Sequence, residues 1–178
     1  MRATSGPGRL QADAWRAGLV ALVLAASTTW AALLWWAPIA LAGVTARGSG
    51  GLVPLASYVA GRTVCHQRPE RSFTVAGIRQ PVCARCAGLY LGAPLGVACA
   101  IAVARRKDRR RAAQIPPRVA RRVVAWAAAP MLATIAIEWS RAAQPGNGLR
   151  FVLAVPLGAA VGWVTAAATL RQIDEGLE

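Results

Sequence analysis

Charged residues in this chain come in short blocks, and the stretches between the blocks carry almost none. From Ala17 to Ala46 the sequence reads "AGLVALVLAASTTWAALLWWAPIALAGVTA", with no ionisable side chain. A helix needs roughly 20 such residues to cross a bilayer, so this run predicts a first span over 17–42, tilted or bent at Pro38. "AGLYLGAPLGVACAIAVA" predicts a second span over 87–104. "VVAWAAAPMLATIAIEWS", broken only by Glu138, predicts a third over 123–140, and "FVLAVPLGAAVGWVTAAATL" a fourth over 151–170. The expected fold is all-α, an integral membrane bundle of four transmembrane helices. Its connections are a segment over 43–86, a basic loop over 105–122 and a short loop over 141–150, with short ends over 1–16 and 171–178. Within the first connection, "VPLASYVAGRTVCHQ" predicts a short interfacial helix, with Val53, Leu55, Tyr58 and Val59 set against Arg62.

Composition agrees with the pattern. Hydrophobic residues make up 56% of 178 positions and the mean hydropathy is +0.41, which an ordinary water-solvated surface does not permit. The abundance of Arg and Ala with little Lys is the bias of a GC-rich bacterial genome. "ALAG" at 40–43 has the small residues of a signal-peptide cleavage site, but a signal core runs about 7 to 15 residues, whereas this run is far longer and carries Trp30, Trp35 and Trp36. The first span is therefore expected to be retained.

Net charge is +14, and most of the Lys and Arg fall in the N-terminal end and in "RRKDRRRAAQIPPRVARR" over 105–122. By the positive-inside bias both lie in the cytoplasm. The chain is then a multi-pass protein of the cell inner (cytoplasmic) membrane, N-in and C-in, with 43–86 outside. The basic loop reads as topogenic, with contact to anionic lipid as an additional use. No aromatics interleave with it for base stacking, so nucleic acid is not an expected partner. Gly88, Gly92 and Gly96 recur every fourth residue, and Gly158 and Gly162 repeat the spacing in the last span. Such faces admit close helix approach, within the chain or in a homo- or hetero-oligomer. "APLGVA" (93–98) and "VPLGAA" (155–160) suggest a duplicated hairpin, or coincidence in an Ala- and Gly-rich chain.

The candidate chemistry sits in one stretch, "TVCHQRPERSFTVAGIRQPVCARCAGLY" over 63–90, which holds the one histidine and three of the four cysteines. A C-x-x-C pair brings two sulfurs to one tetrahedral ion, and Cys65 with His66 arrives from upstream, so Cys65, His66, Cys83 and Cys86 permit a Cys3His zinc site. Arg68, Arg71, Arg79 and Arg85 would balance its negative charge by hydrogen bonding to sulfur. The alternatives are a redox pair, because a C-x-x-C at a helix start favours thiolate, or a structural disulfide to Cys65. Cys99, in mid-helix, reads as a small buried apolar residue.

"CHQRPERSF", Gly77 and "PVCARCAGLYLG" together resemble the signature of a prokaryotic family of small predicted membrane proteins of unknown function. The resemblance implies a membrane location and importance for Cys65, His66, Cys83 and Cys86. Its second part has a proline and an aspartate in the third helix, then Asn, Arg and Gly leading into the last. Pro130, Asn147, Arg150 and Gly158 match. Thr134 stands where the aspartate would, and Glu138 follows one turn later as the nearest acid.

No nucleophile motif, phosphate loop or close carboxylate pair is present, so enzymatic readings have little support. Glu70 is expected to pair with Arg71. Glu138 is expected either to line a polar cavity or to pair with Arg141 or Arg150. The resulting candidates are a binding or scaffold protein with a structural zinc, a membrane thiol-disulfide oxidoreductase, and a small transporter using Glu138.

Overall fold

The computed structural model describes residues 7–47, 51–105 and 116–175. Its elements in chain order are α1 (Pro7–Arg47), α2 (Leu52–Val64), a 3-10 turn (Pro69–Arg71), β1 (Thr74–Val75), β2 (Ile78–Arg79), α3 (Ala84–Arg105), α4 (Pro117–Trp139) and α5 (Asn147–Glu175). Four of the helices are long and apolar enough to cross a membrane, over Ala14–Gly43, Ala84–Arg105, Pro117–Trp139 and Asn147–Thr169. The all-α, four-span expectation holds. Each of these helices carries one internal proline, Pro38, Pro94, Pro130 or Pro156, a frequency that membrane helices tolerate better than soluble ones. Most of the basic block, with the lipid contact expected of it, lies outside the described residues.

Helices α3 and α5 form the centre of the bundle. A Cβ at Gly88, Gly92 or Gly96 would overlap the backbone carbonyl of Phe151, Val155 or Ala159, and one at Gly158 or Gly162 would overlap that of Leu89 or Ala93. The contact positions rise together along both helices, so the two run parallel, with each glycine face set into the backbone of the other. Without a hydrophobic driving force inside lipid, this close van der Waals approach, with Cα–H to carbonyl contacts, is what holds helices together. Of the two placements expected for the glycine faces, within the chain or between subunits, these contacts are within the chain. α1 packs on both α3 and α5, while α4 packs on α5. One apolar cluster joins Val20, Val97, Ala100 and Ala166; another, beside the cysteines, joins Leu34, Val82 and Ala87. Cys99 is exposed rather than buried.

The segment between α1 and α3 folds back on the bundle. α2 turns Pro54, Ser57 and Gly61 inward and leaves Leu52, Val53, Leu55 and Val59 exposed, the disposition of a helix lying at a membrane surface. β1 and β2 pair antiparallel, Thr74 with Arg79 and Val75 with Ile78. Ala76 and Gly77 both have positive φ, at 51° and 78°, as a two-residue type I′ hairpin requires. This is the physical reason for glycine at position 77. The hairpin strand leads to Phe73, whose ring meets Trp35 of α1 and Phe151 of α5 at centroid distances of 5.9 and 5.8 Å. These rings anchor the segment to the bundle.

Candidate metal centre and the adjoining charge cluster

Cys83 caps the N-terminus of α3, its carbonyl accepting from the Ala87 amide at 2.9 Å. One turn on is Cys86, and the end of α2 delivers Cys65. The three sulfurs lie within 4.8 Å of one another. Two backbone amides point at Cys65 Sγ, Cys83 N–H at 3.2 Å and Gln67 N–H at 3.5 Å. Amides donating to sulfur stabilise the thiolate form. Gln67, left-handed at φ 47°, fixes this loop: its side-chain Nε2 donates to the carbonyls of Tyr58 and Pro81 at 3.1 and 2.6 Å. It therefore ties α2 to the segment that leads from β2 into Cys83.

The Cys83 thiol is lowered from 9.0 to about 5, chiefly because the Cys86 thiol donates to it. Burial opposes the shift, and the amides of Cys86 and Arg85 at the helix start add to it. The sign is that of a depressed acid: the thiolate persists as pH falls until about 5. In metal-free protein, iodoacetamide alkylation of Cys83, followed by peptide mass spectrometry, is expected to stay on a plateau from about pH 8 down to about pH 6. An ordinary thiol loses about tenfold in rate per pH unit below about 8.5. That ordinary profile at Cys83 would exclude a shared proton between Cys83 and Cys86.

Arg85, between the two cysteines, points away from sulfur. It spans to α4, where NH2 meets Glu138 Oε1 at 2.6 Å, NH1 meets Oε2 at 3.3 Å, and NH2 also donates to Thr134 Oγ1 at 3.2 Å. Arg150 of α5 donates through Nε to Glu138 Oε1 at 2.7 Å, and Arg71 stands 3.5 Å from Oε2. Arg150 NH1 also reaches Asn147 Oδ1 at 2.9 Å and the Glu70 carbonyl at 3.4 Å. Asn147 Nδ2 donates to the Ser72 carbonyl at 3.1 Å. The "PERSF" loop, α3, α4 and α5 are thus joined at one carboxylate that is almost wholly buried.

Three expectations change. None of Arg68, Arg71, Arg79 or Arg85 donates to a cysteine sulfur among the described residues. Arg68 and Arg79 are exposed, while Arg71 and Arg85 take the carboxylate, a harder and more compact anion in a low-dielectric setting. Glu70 makes no ion pair with Arg71 among the described residues; its carboxylate is exposed and only its carbonyl joins the cluster. Glu138 pairs with Arg150 as expected but not with Arg141. His66 is exposed and stands outside the group of three sulfurs. Gln67 was missed as a site residue, although it stands beside His66 in the quoted stretch. Thr134 contacts the same guanidinium as Glu138.

Fold and site together define a four-span helical membrane protein with a three-thiol group seated at the start of a central helix. The family described as "Predicted membrane protein (DUF2085)" matches residues 65–164, and the chain belongs to it. An uncharacterised protein of Methanothermobacter thermautotrophicus is 56% identical over 32 residues, 18% of this chain and 29% of that protein. An uncharacterised protein of Methanocaldococcus jannaschii is 40% identical over 45 residues, 25% of this chain and 29% of its own length. The matched stretch therefore spans under a third of either archaeal relative. No solved structure matches the chain.

Proposed function

We propose that this is a membrane metal-binding protein in which Cys65, Cys83 and Cys86 hold one zinc ion, clamping the loop between the first two spans to the start of α3. The observation that carries the reading is the convergence of three sulfurs within 4.8 Å. A tetrahedral zinc with bonds of about 2.3 Å to sulfur sets its sulfurs about 3.8 Å apart, so a small inward movement suffices. The fourth position falls to water or to His66 after its side chain swings from solvent. On this reading the protein serves as a binding or scaffold module rather than as an enzyme. The transport reading draws no support from Glu138, whose carboxylate is held by three guanidiniums.

Purified protein is expected to contain about one zinc per chain by elemental analysis, with thiols that react slowly until chelator is added. Cys83→Ser or Cys86→Ser should lose the ion, His66→Ala should weaken affinity by about tenfold or less, and Cys99→Ser should retain it. A metal-free protein purified under reducing conditions without chelator, still fully folded, would reject the zinc centre. The acidic Cys83 thiol beside Cys86 favours one second reading, a dithiol-disulfide couple. It predicts little metal and a Cys83–Cys86 disulfide visible by mass shift after alkylation.

The basic 105–122 block supports a cytoplasmic N-terminus and C-terminus in the inner membrane. A cytoplasm-dependent reporter fused after Arg111 is expected to be active. Labelling of an introduced Gly50→Cys from the cytoplasmic side would reverse the orientation.

A further inference from the structure

Three guanidiniums, those of Arg71, Arg85 and Arg150, surround a single carboxylate, Glu138. The other acid among the described residues near this layer is Glu70, and its carboxylate is exposed and outside the cluster. Two of the three positive charges therefore have no carboxylate to pair with among the described residues, in a place where Arg85 and Arg150 keep side-chain exposures of only 10% and 5%. Burying uncompensated charge is expensive, and structures that retain it generally have a partner for it.

The hydrogen-bonding groups say the same. Arg85 Nε is buried with no partner. Arg71 is bound only through NH2, to Glu138, and Arg150 uses Nε and NH1, so other donors of both remain uncommitted among the described residues. The N-terminal ends of α3 and α5 lie beside the cluster, at Arg85 and at Asn147, and add the positive ends of two long helices. Arg71, at 32% side-chain exposure, leaves a way in.

We propose that the cluster is a binding site for a phosphate oxyanion, with Arg71 and Arg85 as its principal donors and Arg150 holding Glu138 as the fixed counter-charge. The planar fork of arginine suits phosphate oxygens, and a doubly charged phosphate matches the two unbalanced cations. Phosphate can reach the site as a free ion or as a lipid headgroup at the membrane surface; the recognition chemistry is the same. Arg85 also belongs to the C-x-x-C turn, so occupancy of this site bears directly on the backbone that carries Cys83 and Cys86.

The test uses the full chain purified in an uncharged detergent and in phosphate-free buffer. Inorganic phosphate is titrated against chloride at constant ionic strength, with thermal stability as the readout. In a second arm the protein is reconstituted in phosphatidylcholine discs with and without phosphatidic acid. A saturable rise in the unfolding midpoint is expected in at least one arm: with inorganic phosphate if the ligand is soluble, with phosphatidic acid alone if it is a headgroup. Arg71→Gln is expected to weaken that response by about tenfold or more, losing a charge-assisted pair. Arg68→Gln, an exposed arginine of the same loop outside the cluster, should leave it unchanged. No saturable response of the native protein in either arm, or an equal response in Arg71→Gln, overturns the proposal.

Discussion

Glu138→Gln is expected to destabilise the protein by about 3–5 kcal/mol, the cost of removing one partner from a buried ion pair and leaving the other charge uncompensated. Here the loss falls on more than one cation. Arg85 and Arg150 hold the same Oε1 at 2.6 and 2.7 Å, and Arg71 is within 3.5 Å of Oε2. The amide of Gln keeps the shape and one acceptor but supplies no charge, so mutual repulsion of the guanidiniums is left unopposed. The consequence is not confined to α4. Arg85 belongs to the C-x-x-C turn, and Arg71 and the Glu70 carbonyl belong to the loop that follows Cys65, so the three-thiol group should loosen with the cluster. Thermal unfolding in detergent, together with the fraction of monodisperse protein after size exclusion, measures the effect. Glu70→Gln, whose carboxylate is exposed, should match the native protein. A Glu138→Gln variant as stable as the native chain would show that the carboxylate does not organise the four segments.

The second large effect is expected from Gly96→Leu. An added Cβ there overlaps the carbonyl oxygen of Ala159 and comes to 2.7 Å of its carbonyl carbon and 2.8 Å of the Trp163 amide nitrogen. These are backbone atoms of a helix, which cannot rotate aside as a side-chain tip can. Overpacking costs about 1–3 kcal/mol where neighbours can adjust; with rigid backbone opposite, the loss should reach or exceed the top of that range. α3 and α5 must separate, and with them Cys83, Cys86 and Arg150. Gly92→Leu should act similarly, since its Cβ overlaps the Val155 carbonyl. Ala98→Leu is the control, because Ala98 is exposed on α3. Ala100 cannot serve as one, being only 2% exposed and packed with Val20, Val97 and Ala166. Equal unfolding midpoints for Gly96→Leu and Ala98→Leu would remove the interlocked-glycine account of the bundle.

The architecture was open to reading because hydrocarbon imposes a one-dimensional constraint: charge must be absent for a full bilayer thickness, and a helix is the only single-segment way to satisfy its backbone there. The glycine spacing of α3 and α5 was readable for a similar reason, since i, i+4 positions share a helix face. That the two faces meet each other, and not another copy of the chain, was not readable, because periodicity names a face without naming its partner.

The same division runs through the site. The short spacing of Cys83 and Cys86 makes their proximity a local property of one helical turn, and the quoted stretch pointed to Cys65 as their companion. His66 shows the limit. Being adjacent to Cys65 in sequence does not place it beside the sulfurs, because consecutive side chains leave the backbone in different directions: Cys65 joins the other two thiols while His66 is exposed. What the sequence by itself determined was four spans, a membrane setting and a cysteine-bearing segment entering α3. The destination of the arginines was decided only by the tertiary structure. Arg71, Arg85 and Arg150 lie far apart along the chain, and their choice of Glu138 over sulfur or Glu70 depends on which charges folding brings together in a low-dielectric place, where Coulomb attraction is strong and an unpaired charge is least tolerable.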